Sequence, residues 1–140
     1  MTIRSYNTLP PEAATIRETV FVEEQGFAEE FDDIDQKAVH LVLFVDNAPA
    51  ATCRYYWNEG QGCHAIGRLA VVRTRRGQNL GAAMLRAAEE HIARAGGTQA
   101  ALAAQVRAQG FYEKQGYRPY GVPFDEEGCP HIWMRKALGV

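Results

Sequence analysis

Hydrophobic positions change period along the chain, and each change marks an element. Thr2 to Tyr6 predicts a short strand, after which Pro10-Pro11-Glu12 marks a helix start with proline and an acidic side chain in its first turn. Ile16, Val20 and Phe21 give that helix an apolar face. Leu41 to Val45 and Ala51 to Trp57 are rich in strand formers, and Asp46-Asn47-Ala48-Pro49 predicts an antiparallel turn between them. Gly60-Gln61-Gly62 reverses the chain into a third strand, His64 to Val72, in which Gly67 is the expected bulge where another backbone or a ligand comes close.

From Gly81 to Arg94 the period turns helical, with Leu85, Ala88 and Ile92 on one face and Glu90 and Arg94 paired on the other; Gly96-Gly97 stops the helix. Thr98 to Ala103 predicts a buried strand and Gln105 to Lys114 a short helix ended by Gly116. Tyr117 to Val122 and His131 to Arg135 predict two closing strands joined by the acidic turn Asp125-Glu126-Glu127-Gly128. Strand, helix and strand in mid-chain imply a parallel or mixed centre beside an antiparallel meander, an α/β arrangement.

Composition narrows the class. At 140 residues and 46% hydrophobic content the chain supports one domain with a real core, spanning residues 1–140, and shows no internal boundary. A formal charge of -2 argues against a general nucleic-acid binder, so any anion it takes should be small and local. Three cysteines without a CxxC pair, and an N-terminus without an apolar signal core, point to a reducing cytoplasm. The longest aliphatic and aromatic run, Leu41 to Val45, is far below the roughly 18 residues of a membrane span. Cys63-His64 and Cys129-Pro130-His131 lack metal-ligand spacing, so no metal is expected.

The candidate chemistry centres on the stretch after the third strand. Arg73, Arg75 and Arg76 precede Gly77-Gln78-Asn79-Leu80-Gly81, where a strand ends and a helix begins. A helix start presents unpaired N–H groups and the positive end of the macrodipole, and Gly77 and Gly81 leave that approach bare for a phosphate. The dipole contributes only about 0.3–1 kcal/mol at an exposed site, so charge-assisted bonds from Arg75 or Arg76 matter as much. The spacing fits neither the P-loop nor the dinucleotide fingerprint.

Arg76-Gly77-Gln78-Asn79-Leu80-Gly81 does resemble the acetyl-CoA loop of the GNAT superfamily of N-acetyltransferases, Gln/Arg-x-x-Gly-x-Gly/Ala. It departs at Asn79, where the family has glycine; asparagine is the non-glycine residue that best tolerates a left-handed backbone, so positive φ is the expectation there. Arg68-Leu69-Ala70-Val71-Val72 resembles the family's strand before the loop, and Gly110-Phe111-Tyr112-Glu113-Lys114-Gln115-Gly116-Tyr117 its Phe-Tyr-x-x-x-Gly-Phe/Tyr signature. Val20-Phe21-Val22-Glu23-Glu24-Gln25, Asp32-Asp33-Ile34-Asp35, Ala104-Gln105 and Cys129-Pro130-His131 are similar to the bacterial ElaA-like branch.

The resemblance implies a GNAT fold, a mixed and mostly antiparallel sheet with splayed central strands flanked by helices. It implies an acyltransferase that passes acetyl from acetyl-CoA directly to a primary amine, with room for a homodimer. The pyrophosphate would sit on Arg75, Arg76, Gly77, Gln78, Asn79, Leu80, Gly81 and Ala82, and backbone N–H groups near Leu69, Ala70 and Val71 would polarise the acetyl carbonyl. Gln105 would bond the pantetheine arm and Lys114 a CoA phosphate, with Tyr112 the general acid for the sulfur. A lysine-like amine (pKa ~10.4) needs a base at neutral pH, and His64, His131 and Glu24 are the candidates. A Cys63 acetyl-enzyme with ping-pong kinetics is the covalent alternative, and a non-catalytic acetyl-CoA sensor the alternative from another class. Between Arg17 and Lys37 the chain carries acids without one base, which could steer a cationic acceptor: a small amine, a polyamine, an amino-sugar phosphate or a protein amine.

Overall fold

The computed structural model describes residues 1–139. The chain opens with strand β1 (Thr2–Tyr6) and helix α1 (Pro11–Arg17). It continues through a wider helical stretch, Glu18–Glu24, closed by Gln25 N–H donating to the Val20 carbonyl five residues back. A 3₁₀ turn, Asp33–Gln36, leads into β2 (Val39–Val45), β3 (Ala48–Asn58) and β4 (Cys63–Val71). Then come α2 (Leu80–Arg94), β5 (Gln99–Gln105), α3 (Gln109–Lys114), β6 (Arg118–Pro119), β7 (Phe124–Glu126) and β8 (Cys129–Ala137).

The strands form one sheet in the order β1-β2-β3-β4-β5-β8-β6, with β7 also paired to β8. Every pairing is antiparallel except β4 with β5, the mixed and mostly antiparallel arrangement expected. β4 and β5 share only the rungs His64↔Ala100 and Ala65↔Ala101. Beyond them the two strands part, while β5 stays laddered to β8 from Gln99 to Gln105. A gap therefore opens between the C-terminal halves of β4 and β5.

Helices cover both faces. α2 buries Leu80, Met84, Leu85, Ala88 and Ile92 against Leu41, Leu43, Ile66, Leu102 and Met134, and each fully buried leucine or isoleucine contributes roughly 1.5–3 kcal/mol. On the other face Ile16, Val20 and Phe21 pack on Ala70. Tyr117, fully buried behind α3, donates its hydroxyl proton to Glu89 Oε2 at 2.7 Å, and Lys136 Nζ donates to Oε1 at 2.9 Å.

Several sequence boundaries shift for physical reasons. The β2–β3 turn is Asp46-Asn47 alone, both at positive φ, because a two-residue hairpin of that hand matches strand twist; Ala48 and Pro49 join β3. The acidic turn contracts likewise to Glu127-Gly128, at φ 51° and 81°, leaving Asp125 and Glu126 in β7. The β4 bulge is not at Gly67. Gly67 pairs regularly with Arg54, and Arg68 and Leu69 together oppose Cys53, with Arg68 at φ 53°. Gln105 ends β5 rather than starting the next helix, and the expected strand over Tyr117 to Val122 shrinks to β6.

Candidate active site

The gap between β4 and β5 widens into a cleft of about 620 Å³, a size typical of small-molecule sites. Its walls come from chain-distant segments: Phe21 to Ile34, β3 at Arg54 and Tyr56, β4 from Ala65 to Leu69, β5 from Leu102 to Gln105, Tyr112 of α3, and the β7–β8 hairpin.

At one end of the gap lies the arginine loop. Arg73–Arg75 form a 3₁₀ turn, Gly77 takes φ 82°, and Asn79 caps α2 at φ 62°, ψ 22°, the left-handed conformation that its place in the motif requires. No side chain caps that terminus, so the first N–H groups of a 15-residue helix stay available to an anion. Gly81 lies against Phe111, whose Cζ would stand 3.4 Å from an added Cβ, and Leu80 and Ala82 are buried beneath the loop. Arg75 Nη2 lies 3.7 Å from the exposed Asp46. Arg76 is held on two sides: Nε donates to the Val71 carbonyl at 3.0 Å, and Nη2 pairs with Glu24 Oε1 at 2.8 Å. Glu24 thus stands at the loop. Lys114 is exposed in the last turn of α3.

The bulge sits midway along β4. Positive φ at a residue with a side chain costs roughly 1–2 kcal/mol, and at Arg68 that strain is offset by a dense set of contacts. Its Nε pairs with Glu30 Oε2 at 2.9 Å, its Nη2 donates to the Glu30 carbonyl at 3.0 Å, and Nη2 lies 3.3 Å from Asp32 Oδ2. The extra residue interrupts the regular β3–β4 register at Arg68 and Leu69, which line the cleft.

Beneath the bulge lies a charge cluster that the sequence did not reveal. Arg17 is 1% exposed and Arg54 3%. Arg17 Nε pairs with Glu30 at 2.9 Å and Nη1 with Asp35 at 2.7 Å; Arg54 Nη1 pairs with Asp32 at 2.6 Å and Asp35 at 2.8 Å. Three guanidiniums thus match three carboxylates: Glu30 and Asp35 are committed inside the fold, and the more exposed Asp32 is tied to Arg54 and Arg68, so the three do not form the free steering surface suggested by the acidic run. Burial alone would raise the Asp35 carboxyl, but the bonds and charges of Arg17 and Arg54 hold it down at about 2. Glu30 moves the other way, because desolvation outweighs Arg68 and Arg17. Only the pairing across 13 to 38 residues explains the arginines, and no local motif signals it.

The far wall is aromatic and acidic. Phe124 stacks between His131, at 5.8 Å, and Trp133, at 6.4 Å, and Phe27 meets His131 edge-on. His131, 5% exposed, has Nδ1 2.8 Å from the Cys129 carbonyl oxygen. A carbonyl only accepts, so Nδ1 carries the hydrogen and Nε2 is the basic nitrogen, 3.4 Å from Glu126 Oε2. Glu127 ties the hairpin to the opposite segment, accepting from Ala28 N–H at 2.8 Å and Glu29 N–H at 3.1 Å. The cleft holds five carboxylates, Glu29, Glu30, Asp32, Glu126 and Glu127, against Arg54 and Arg68. Its balance is acidic.

The two tyrosines of the Phe-Tyr-x-x-x-Gly-Tyr stretch differ in use. Tyr117 spends its hydroxyl on Glu89, whereas among the described residues the Tyr112 hydroxyl makes no hydrogen bond, and its ring lines the cleft. Burial pushes Tyr112 up to about 12, so it keeps its proton at neutral pH. Leu69 and Gln105 share the cleft; Ala70 turns to the α1 cluster and Val71 to the main core. The cleft does not take in His64. The pleat turns it to the other face, against Trp57 and Tyr55, where burial lowers its pKa. Cys63 is buried outside the lining and its thiol is pushed up by burial, which removes it from reach of a nucleophilic step.

Residues 7–138 match the family model described as an acetyltransferase (GNAT) domain. The chain is 32% identical over 128 residues to the uncharacterised N-acetyltransferase YjcF of Bacillus subtilis, covering 89% of this chain and 90% of that one. A Lactobacillus plantarum crystal structure, provisionally assigned as an N-acetyltransferase, superposes with a TM-score of 0.87 at 32% identity, covering 98% of this chain and 97% of that one. Escherichia coli ElaA superposes at 0.81 with 23% identity over 96% of this chain and 99% of its own, a likeness of fold.

Proposed function

The chain belongs to the GNAT acetyltransferase family, and on that premise we propose that it moves an acetyl group from acetyl-CoA directly to the primary amine of a cationic acceptor, with Tyr112 and His131 as the groups that handle protons. As a member of that family it is a transferase. The observation that carries the finer reading is the unengaged Tyr112 hydroxyl, opening on the same cleft as the His131 imidazole.

The pyrophosphate binds at the uncapped start of α2 with Arg75 and Arg76, and the pantetheine arm enters the gap between β4 and β5. Backbone N–H at the Arg68–Leu69 bulge polarises the thioester carbonyl, where a donor is worth most because charge develops on that oxygen. The acceptor ammonium is drawn to Glu29, Glu126 and Glu127 among aromatic rings, which suit a cation on their faces. His131 Nε2 takes the amine proton, and Glu126 stabilises the imidazolium that results. Glu24 is engaged by Arg76 and His64 faces away, which favours His131 among the three bases.

Magnitudes decide what Tyr112 contributes. A phenol near 12 lies about 3 to 4 units above an ordinary thiol (~8.5), so full proton transfer to a free thiolate is uphill. Tyr112 therefore acts as a hydrogen-bond donor to sulfur while the C–S bond breaks, and the thiolate leaves stabilised rather than fully protonated by it.

The test is thiol release from acetyl-CoA against a panel of amines, in wild type and Tyr112→Phe. Turnover with cationic amines that falls in the variant supports the enzyme. Tight acetyl-CoA binding without turnover, indifferent to Tyr112→Phe, would make the protein a sensor.

A further inference from the structure

Two adjacent side chains at the end of the wide helical stretch reach in opposite directions across the gap between β4 and β5. Glu24 Oε1 forms an ion pair with Arg76 Nη2 at 2.8 Å, on the loop that follows β4. Gln25 Oε1 accepts from Gln105 Nε2 at 2.9 Å, at the end of β5, and Gln105 Oε1 in turn accepts from Arg107 Nε at 2.8 Å. Arg76, Glu24, Gln25, Gln105 and Arg107 thus form a strap joining the two arms of the splay. The strap continues directly into Phe27 and Glu29 of the acceptor wall.

Arg76 is the arginine of the loop whose position is fixed. Its Nε is occupied by the Val71 carbonyl, which pins one edge of the guanidinium and leaves the Nη edge as the part that can turn. That edge faces a carboxylate. A pyrophosphate arriving at the start of α2 brings negative charge to the same guanidinium, and two anions on one edge repel each other.

We infer that Glu24 is a positioning residue that competes with the pyrophosphate for Arg76, so that loading the cofactor exchanges the Glu24–Arg76 pair for an Arg76–phosphate pair and releases one end of the strap. The inference rests on the reading of the loop as the CoA site. It gives Glu24 a role distinct from that of a base: it holds the loop arginine in place before the cofactor arrives, and it couples cofactor occupancy to the wall that begins at Gln25. No bond to carbon forms or breaks in this step; one ion pair replaces another.

Calorimetry with two ligands tests it: CoA, and pantetheine, which lacks the pyrophosphate. Glu24→Gln keeps the shape and removes the charge, so it should bind CoA about two- to five-fold more tightly, the range of a partly exposed ion pair, and leave pantetheine affinity unchanged. Glu23→Gln, which removes the same charge one residue away, should change CoA affinity less. CoA binding that Glu24→Gln leaves unchanged or weakens would overturn the exchange while leaving the loop assignment standing. An equal shift with pantetheine would also overturn it, because the effect would then not pass through phosphate. No CoA binding by the wild type would overturn the loop assignment and the exchange together.

Discussion

The loop at residues 73–81 presents positive charge with contiguous residues and bare backbone, whereas the wall opposite, residues 25–35, holds its charges through side chains that meet across the fold. In the loop, a 3₁₀ turn, a glycine at φ 82° and a left-handed asparagine aim the start of α2 at the cleft. In the wall, Glu30 depends on Arg17 and Arg68, Asp35 on Arg17 and Arg54, and residues 28 and 29 on Glu127, 99 and 98 positions away. The loop is a local device and can be read locally. The wall exists only when the whole sheet is in place.

The sharpest way to break that contrast is Arg17→Met. Removing one member of a buried charge cluster leaves Glu30 with Arg68 alone and Asp35 with Arg54 alone, one charge short of balance, which costs about 3–5 kcal/mol of folding stability in denaturant titrations. The wall should suffer first, and CoA affinity of the folded fraction should change little, since nothing at the loop touches Arg17. A cost below about 1 kcal/mol would mean that the cluster is solvated rather than structural.

Tyr112→Phe comes next in size. A hydrogen bond to developing charge is worth about 1.5–3 kcal/mol, so kcat should fall about 10- to 150-fold, while CoA affinity stays near wild type. Tyr117→Phe is the control: it takes the donor from Glu89 Oε2 and leaves that buried carboxylate to Lys136 alone, so it should lower stability and not the chemical step of the folded enzyme.

Acid pH acts on the wall through two carboxyls of opposite sign. Asp35 has a folded pKa of about 2, below its ordinary 3.8, so its contribution to stability is fully present above the ordinary value and is lost as pH falls toward 2. Glu30 is raised, so its protonation favours the folded state as pH falls toward its ordinary 4.5, above the window in which the Asp35 contribution is lost. Net stability should decline between about pH 4 and 2, and Asp35→Asn, though less stable at neutral pH, should flatten that limb in pH-dependent denaturation. An unchanged acid limb would place the titrating group elsewhere.

The same contrast explains what the sequence made legible. The strand, helix and strand order, the apolar stripe of Leu85, Ala88 and Ile92, and the Arg76 to Gly81 turn are short-range patterns, and all can be recognised without knowing the fold. Arg68 as bulge residue was not legible, because its positive φ is sustained by Glu30 and Asp32, 38 and 36 residues away. Glycine's steric freedom pointed to Gly67, but ion pairs chose its neighbour. His64 looked near the reaction because it begins the right strand; the period of two then turns it to the wrong face. The acidic run gave no sign of the three arginines that absorb its central members.

Asn79 offers the smallest effect and the most direct test of the local device. At φ 62° and ψ 22° it stands where an alanine would carry a Cβ penalty, while its own side chain makes no capping bond. The residue is therefore retained for its backbone and not for a contact. Asn79→Gly should leave stability within a few tenths of a kcal/mol and CoA affinity unchanged, whereas Asn79→Ala should lose about 1 kcal/mol and weaken CoA binding as the start of α2 turns away from the phosphate. Were the asparagine amide itself a ligand for the pyrophosphate, glycine would weaken CoA as much as alanine does. The difference between the two variants, measured by calorimetry at one ionic strength, isolates φ from side-chain chemistry. It also marks the limit of the local reading, because no single backbone angle on the wall from Gln25 to Asp35 could be tested so cleanly without disturbing a partner elsewhere in the fold.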